Sequence, residues 1–303
     1  MKSSVFQGIS LTVIVLAGIF TSGCLFQPPA PDEVMIRFAQ TTAEITSFHY
    51  NVDLTLAGRL NLSLVPDVSS ATIKLSGDVV NKDPNSPKFT LAADLAGVAP
   101  SGSLAIVGEL INLDDYTYFR LTNLTVPTLL PVSLGADSRW YKIRHVAAND
   151  PNEKKLGVAD GAPITNDQLQ AVRDLLKQTP LMEVVEVMSD ETVNNQRSYH
   201  FRAQFKPEAL VTISQQLGQL LGLSQPDQTL GDLADYQPEI WINKRTFQLS
   251  QLKLADIYLR DNIPLAFDLM LGLSRHNESF KITAPQATDE IDPTKLLQEQ
   301  FGF

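Results

Sequence analysis

The stretch FHYNVDLTLAGRLNLSL runs from Phe48 to Leu64. Phe48, Tyr50, Val52, Leu54, Leu56, Leu60, Leu62 and Leu64 hold the even positions, and only Gly58 interrupts them. His49, Asn51, Asp53, Thr55, Ala57, Arg59, Asn61 and Ser63 hold the odd ones. Side chains of a strand alternate between its faces. The pattern therefore predicts one long strand, or two joined at a glycine bend, with a dry face and a wet face. Such a strand belongs to an antiparallel sheet that meets water on one side.

The alternation recurs downstream. Ile73, Leu75 and Val79 alternate with Thr72, Lys74, Ser76 and Asp78; further segments follow at 88–95, 103–110, 115–124 and 138–145. Turn-forming clusters separate the earlier ones, NKDPNSPK at 81–88, GVAPSGS at 97–103 and NLDD at 112–115. After a polar, irregular stretch at 146–164, strands are expected at 182–191 and 197–205, flanking a turn at Asn194-Asn195. A hairpin is expected over 239–259, turning at Asn243-Lys244, with a bulge near Ser250-Gln251 where the apolar phase slips. Alternation at 263–273 and the segment ESFKITAP at 278–285 complete about eleven strands. Helical spacing appears at 32–47, opened by Pro31-Asp32-Glu33, at 165–179, and at 206–222, opened by Pro207. A short helix is expected at 227–236, and a last turn or two at 292–301, capped by the acids Asp289, Glu290 and Asp292. No proline- or serine-rich linker divides this order, so residues 32–303 are expected to form one α+β domain with a large antiparallel sheet. Twist curls a sheet of that size, and each buried Leu, Ile or Phe contributes about 1.5–3 kcal/mol, so the dry face needs cover. Three helices can shield it without filling it, which leaves room for an apolar cavity.

The chain has a single cysteine, Cys24. It follows Lys2 and a mostly apolar run from Val5 to Phe20, too short for a comfortable membrane-spanning helix. The run fits a secretory signal with small residues Ser22 and Gly23 before the cut. Thr21-Ser22-Gly23-Cys24 resembles the bacterial lipoprotein box, with Thr21 in place of the usual Leu. That resemblance implies a signal over residues 1–23 and acyl chains on Cys24, which becomes the mature N-terminus. The tether LFQPPAP (25–31) then keeps the domain within roughly 20 Å of the bilayer.

Net charge is −10 and no run of five Lys or Arg occurs, which argues against nucleic acid and against a basic lipid-surface patch. His49, His145, His200 and His276 show no metal-ligand spacing, and no nucleophile elbow or phosphate loop is present. No metal, cofactor or catalytic residue is expected. His49 and His200 fall on wet parity and are expected at the surface.

With Cys24 in its box, a helix leading into SFHYNVDLTL (47–56), ADSRWYKI (136–143) and EIWINKRTFQLSQLKL (239–254) followed by one more long strand, the chain resembles the LolA/LolB-like lipoprotein carriers and, among them, the LppX/LprG group. The resemblance implies a half-barrel, a curved antiparallel sheet wrapped around helices. It also implies binding of acyl chains or acylated lipids at the bacterial cell envelope. The expected partners are the membrane, through lipidated Cys24, and a hydrophobic ligand, with an envelope protein as a further candidate, and the protein itself is expected to be a monomer. Cavity candidates are the dry mid-strand positions Val52, Leu54, Ile73, Leu75 and Leu91. Leu104, Ile106, Phe201, Phe267 and Leu269 complete the set. The alternative is an envelope lipoprotein with a filled core and a protein partner.

Overall fold

The computed structural model describes residues 28–62, 65–83, 86–100, 102–125, 138–144, 166–178, 180–221, 236–258, 266–286 and 288–291. Helix α1 (Pro31–Thr42) precedes strands β1 (Ser47–Leu62), β2 (Val65–Val80), β3 (Lys88–Ala99), β4 (Gly102–Leu113), β5 (Tyr116–Thr125) and β6 (Trp140–Arg144). Helix α2 (Asn166–Gln178) precedes β7 (Met182–Val187), β8 (Glu191–Val193) and β9 (Gln196–Phe205). Helix α3 (Pro207–Leu221) leads to β10 (Glu239–Asn243), β11 (Leu249–Tyr258), β12 (Ala266–Ser274) and β13 (Thr288–Glu290).

All the strands join one open sheet in the order β13-β6-β5-β4-β3-β2-β1-β12-β11-β10-β9-β7, with β8 paired to β9. The expected α+β class with a large antiparallel sheet is found, with thirteen strands among the described residues. β1 to β6 form one meander and β7 to β12 another. The two meet where β1 pairs with β12, from His49↔Ser274 to Ala57↔Ala266.

Local chemistry accounts for the elements. Pro31 opens α1, and Asp32 and Glu33 complement the positive end of its dipole. The helix ends at Thr42, five residues short of the expected limit. The chain there tightens into three-residue turns, Glu44 N–H to Thr41 O and Ile45 N–H to Thr42 O, which deliver the fully buried Ser47 into β1. β1 is continuous, and its bend is at Gly58, whose φ of 138° few side-chain-bearing residues adopt. The ladder to β2 shifts register between Ala57 and Leu60, across that glycine. The expected bulge in β11 also appears, as a register shift that leaves Ser250 between Leu249 and Gln251.

Three expectations fail or fall outside view. Residues 278–285 form no strand. Both edges of β12 are already taken, by β1 and β11, and Arg275 and Asn277 turn the chain through left-handed conformations just beyond it. The acids Asp289 and Glu290 lie in β13, which pairs in parallel with β6, and so are not a helix cap. There they face Arg139 and Lys142 in ion pairs of 3.4 and 3.2 Å. The helices expected at 227–236 and 292–301 lie outside the described residues, apart from Tyr236, which is not helical.

The main core sits where α1 meets the sheet. Val34 and Met35 pack with Met182, Phe201, Ala203, Ile240, Ile242 and Leu249. α1 lies on β7, α2 on α1 and α3 on α2. Ile240 and Ile242 are both 0% exposed. Truncating such a residue removes its transfer energy and leaves a hole, so Ile242→Ala is expected to lower stability by about 3 kcal/mol, read as a fall in the urea midpoint.

Candidate functional site

Directly opposed residues of an antiparallel pair share a face. The registers therefore assemble the apolar positions into rows across the sheet. One row runs Leu254, Leu269, Leu54, Ile73, Leu95, Ile106 and Leu124, from β11 through β12 and β1 to β5. Its neighbour runs Phe201, Ile240, Leu252, Leu271, Val52, Leu75, Ala93, Gly108 and Leu121. A third carries Phe267, Leu56, Ala71, Gly97 and Leu104. Leu91 lies opposite Leu110, which lies opposite Phe119. All ten sequence-selected positions thus lie on one face.

Cover over that face is uneven. At the β9–β10 end, beneath α1, Phe201 is 2% exposed. Along the same row Leu252, Leu271, Val52 and Leu75 are only half-buried. Leu54, Ile73, Leu91, Ile106, Phe267 and Leu269 are half-buried as well. At the strand tips Leu104 is buried in a second small cluster with Val68, Ala71 and Ala99. Two of the ten, Phe201 and Leu104, are therefore packed core. Ile106 packs against the second cluster, and the other seven stay half-buried in an apolar strip beside or between the two cores.

The opposite face is polar. Asp53 lies across from Lys74, which lies across from Asp94, and Arg120 pairs with Glu109 at 2.8 Å. A recess of about 330 Å³ on these strands is lined in part by Asn51, Asp53, Lys74, Asp94 and Glu109. Its charges make it a poor seat for a hydrocarbon chain.

His200 departs from expectation. Its parity is wet, yet it is 4% exposed. Trp241 stacks on it at 4.2 Å, and its ring nitrogens meet Glu191 at 3.4 Å and Glu239 at 3.2 Å. The β8 strand, paired to β9, brings Glu191 over this patch, and the Trp241 indole N–H donates to the same carboxylate. Neither tryptophan lines the apolar strip. Trp241 is buried, and Trp140 lies beneath the Arg120 guanidinium. His49 is half-buried and paired with Asp78 at 2.8 Å.

Three groups among the described residues, Tyr50, Tyr199 and His276, depart from their ordinary values, and burial is the first cause of each shift, raising both tyrosines. Burial, helped by Asp78, raises the Tyr50 hydroxyl above its ordinary value. That hydroxyl donates to the Thr90 carbonyl at 3.1 Å. Burial lowers His276 below the ordinary imidazole value of 6.5. As pH falls, the unfolded chain takes up that proton before the folded one. The stabilising effect is complete above about pH 6.5 and is lost as pH drops through the lowered folded value. His276→Gln is expected to flatten this part of the curve of urea midpoint against pH.

Among the described residues no three His, Cys, Asp or Glu gather as a metal site, and no helix is long and apolar enough to cross a membrane. Cys24 lies outside the described residues.

No family model and no curated protein matches the chain. Solved structures do. LprF from Mycobacterium bovis matches at 12% identity and a TM-score of 0.44, covering 86% of this chain and 100% of its own. The lipoprotein LppX from Mycobacterium tuberculosis matches at 12% identity and 0.33, covering 84% and 100%. A LolA superfamily protein from Nitrosomonas europaea matches at 10% identity and 0.21, covering 85% and 99%. The structures to which this chain is similar thus include a lipoprotein and a member of the LolA superfamily.

Proposed function

We propose that this protein is a lipoprotein of the bacterial cell envelope that binds a hydrophobic ligand on the half-open strip of its sheet. The ligand is a lipid or the acyl chains of a lipoprotein, and the role is carriage or presentation at the membrane. Lipidated Cys24 and the short tether hold the domain beside the bilayer that supplies or receives the ligand. The protein acts as a monomer and does no bond chemistry. One observation carries the reading. Apolar side chains of β1 to β4 and β12 stand in register on one face and stay half-buried, although that face is sealed under α1 a few strands away. Contiguous apolar surface left partly accessible supports this reading, and each methylene of a bound chain taken from water contributes about 0.8 kcal/mol.

The test is to express the domain beginning after Cys24 in a bacterial host, purify it without detergent, and record native mass spectra before and after organic extraction. An adduct of lipid mass that extraction removes is the expected result. A single unliganded species that takes up no added fatty acid overturns the reading.

A further inference from the structure

A second cleft, of about 490 Å³, opens where three turns meet, at 194–196, 243–248 and 274–278. Its lining is chemically unlike the apolar strip. Amide and hydroxyl side chains predominate, with two guanidiniums, Arg245 and Arg275, against one carboxylate, Glu278. Arg275 is engaged, its Nε donating to Glu278 at 2.9 Å and its guanidinium lying over Phe280. Arg245 is exposed and carries no ion pair among the described residues. In a chain of net charge −10 this is a local positive excess. His276 also lines the cleft, and its Nε2 is buried without a hydrogen-bond partner among the described residues.

The turns are held in place. The Asn243 side-chain oxygen accepts the backbone N–H groups of Arg245 and Thr246 at 2.8 and 3.1 Å, fixing the loop that presents Arg245. Five of the seven left-handed non-glycine residues among those described, Asn194, Asn195, Phe247, Arg275 and Asn277, fall in or beside these turns. Leu273 lines the cleft, lies opposite Tyr50 on dry parity and packs against the main core, so it is the cleft residue nearest in register to the apolar face.

We propose that this cleft binds the phosphate or carboxylate head of an amphiphile, with Arg245 as the free cation that recognises it. A guanidinium presents a planar fork that matches either oxyanion. The apolar strip, reached past Leu273, takes the hydrocarbon chain, and that half of the inference rests on the function proposed above.

Calorimetric titrations of the detergent-free domain with dodecyl phosphate, dodecanol and inorganic phosphate test it, each with the wild type, Arg245→Glu and Arg245→Lys. Dodecyl phosphate is expected to bind the wild type at least tenfold more tightly than dodecanol. Arg245→Glu abolishes that preference and leaves dodecanol binding unchanged, while Arg245→Lys keeps most of it. Inorganic phosphate bound by the wild type and lost in Arg245→Glu, with dodecanol unbound, supports the anion site with free phosphate as its source and removes the apolar-strip reading instead. Equal affinity for dodecyl phosphate and dodecanol in all three proteins overturns the cleft assignment and leaves the strip intact. Binding of none of the three probes overturns both.

Discussion

Gly77→Ala is expected to lower stability by about 3 kcal/mol, among the larger effects of a single added methyl group. A Cβ at residue 77 would lie 1.9 Å from the Thr90 carbonyl oxygen and 2.7 Å from its carbon. Those are backbone atoms of the neighbouring strand, so no side-chain rotation relieves the clash. The displacement would also break two contacts at the same spot. The Tyr50 hydroxyl donates to the Thr90 carbonyl, and the Thr90 hydroxyl accepts the Asp78 backbone N–H at 2.9 Å. Gly272→Ala is the matched control in the same sheet. The nearest neighbour of its added Cβ would be the Asn51 carbonyl oxygen at 3.9 Å, ordinary contact, and its stability is expected to change by less than about 1 kcal/mol. Urea denaturation of both variants distinguishes them. Equal midpoints would mean that β2 and β3 do not approach closely at residue 77.

The second large effect concerns ligand uptake. Leu54 stands in the middle of its row, between Leu269 and Ile73. Leu54→Asp is expected to weaken binding of a fluorescent fatty acid at least tenfold, about 1.4 kcal/mol. A carboxylate there removes apolar contact and must be desolvated when a chain lies over it. Thr55→Asp places the same charge on the opposite face, where Thr55 is already exposed, and is expected to leave uptake unchanged. Equal loss in both variants would show that the even face is not the contact surface.

The part of this fold readable from residue order is the part governed by period. Alternation at 48–56 places β1 and sorts its side chains between faces, because a one-residue slip would turn every leucine outward. The same logic locates the bulge at Ser250, where two apolar phases collide. Edge pairing is not readable in that way. β13 is three residues long and pairs in parallel with β6, with Asp289 and Glu290 beside Arg139 and Lys142, a match between distant segments that no local period announces. The burial of His200 is similar. Parity gives the face, but the cover comes from Glu191 of β8, which pairs with β9 separately from β7. For the apolar strip, the sequence selects the face correctly and does not resolve depth along it. Phe201 and Leu54 look alike as dry positions, yet one lies under α1 and the other does not. The cleft at the turns has no pattern at all in the sequence, because its lining comes from three loops far apart in the chain.

The most direct measurement is residue-by-residue labelling along β1 with a diazirine-bearing fatty acid, mapped by tandem mass spectrometry. Adducts on Val52, Leu54 and Leu56, with Asn51, Asp53 and Thr55 unlabelled, are the expected outcome, since a chain on the apolar strip touches only the even face. Labelling spread evenly over both parities, or absent from β1 while the probe is bound elsewhere, would contradict a ligand held on this sheet.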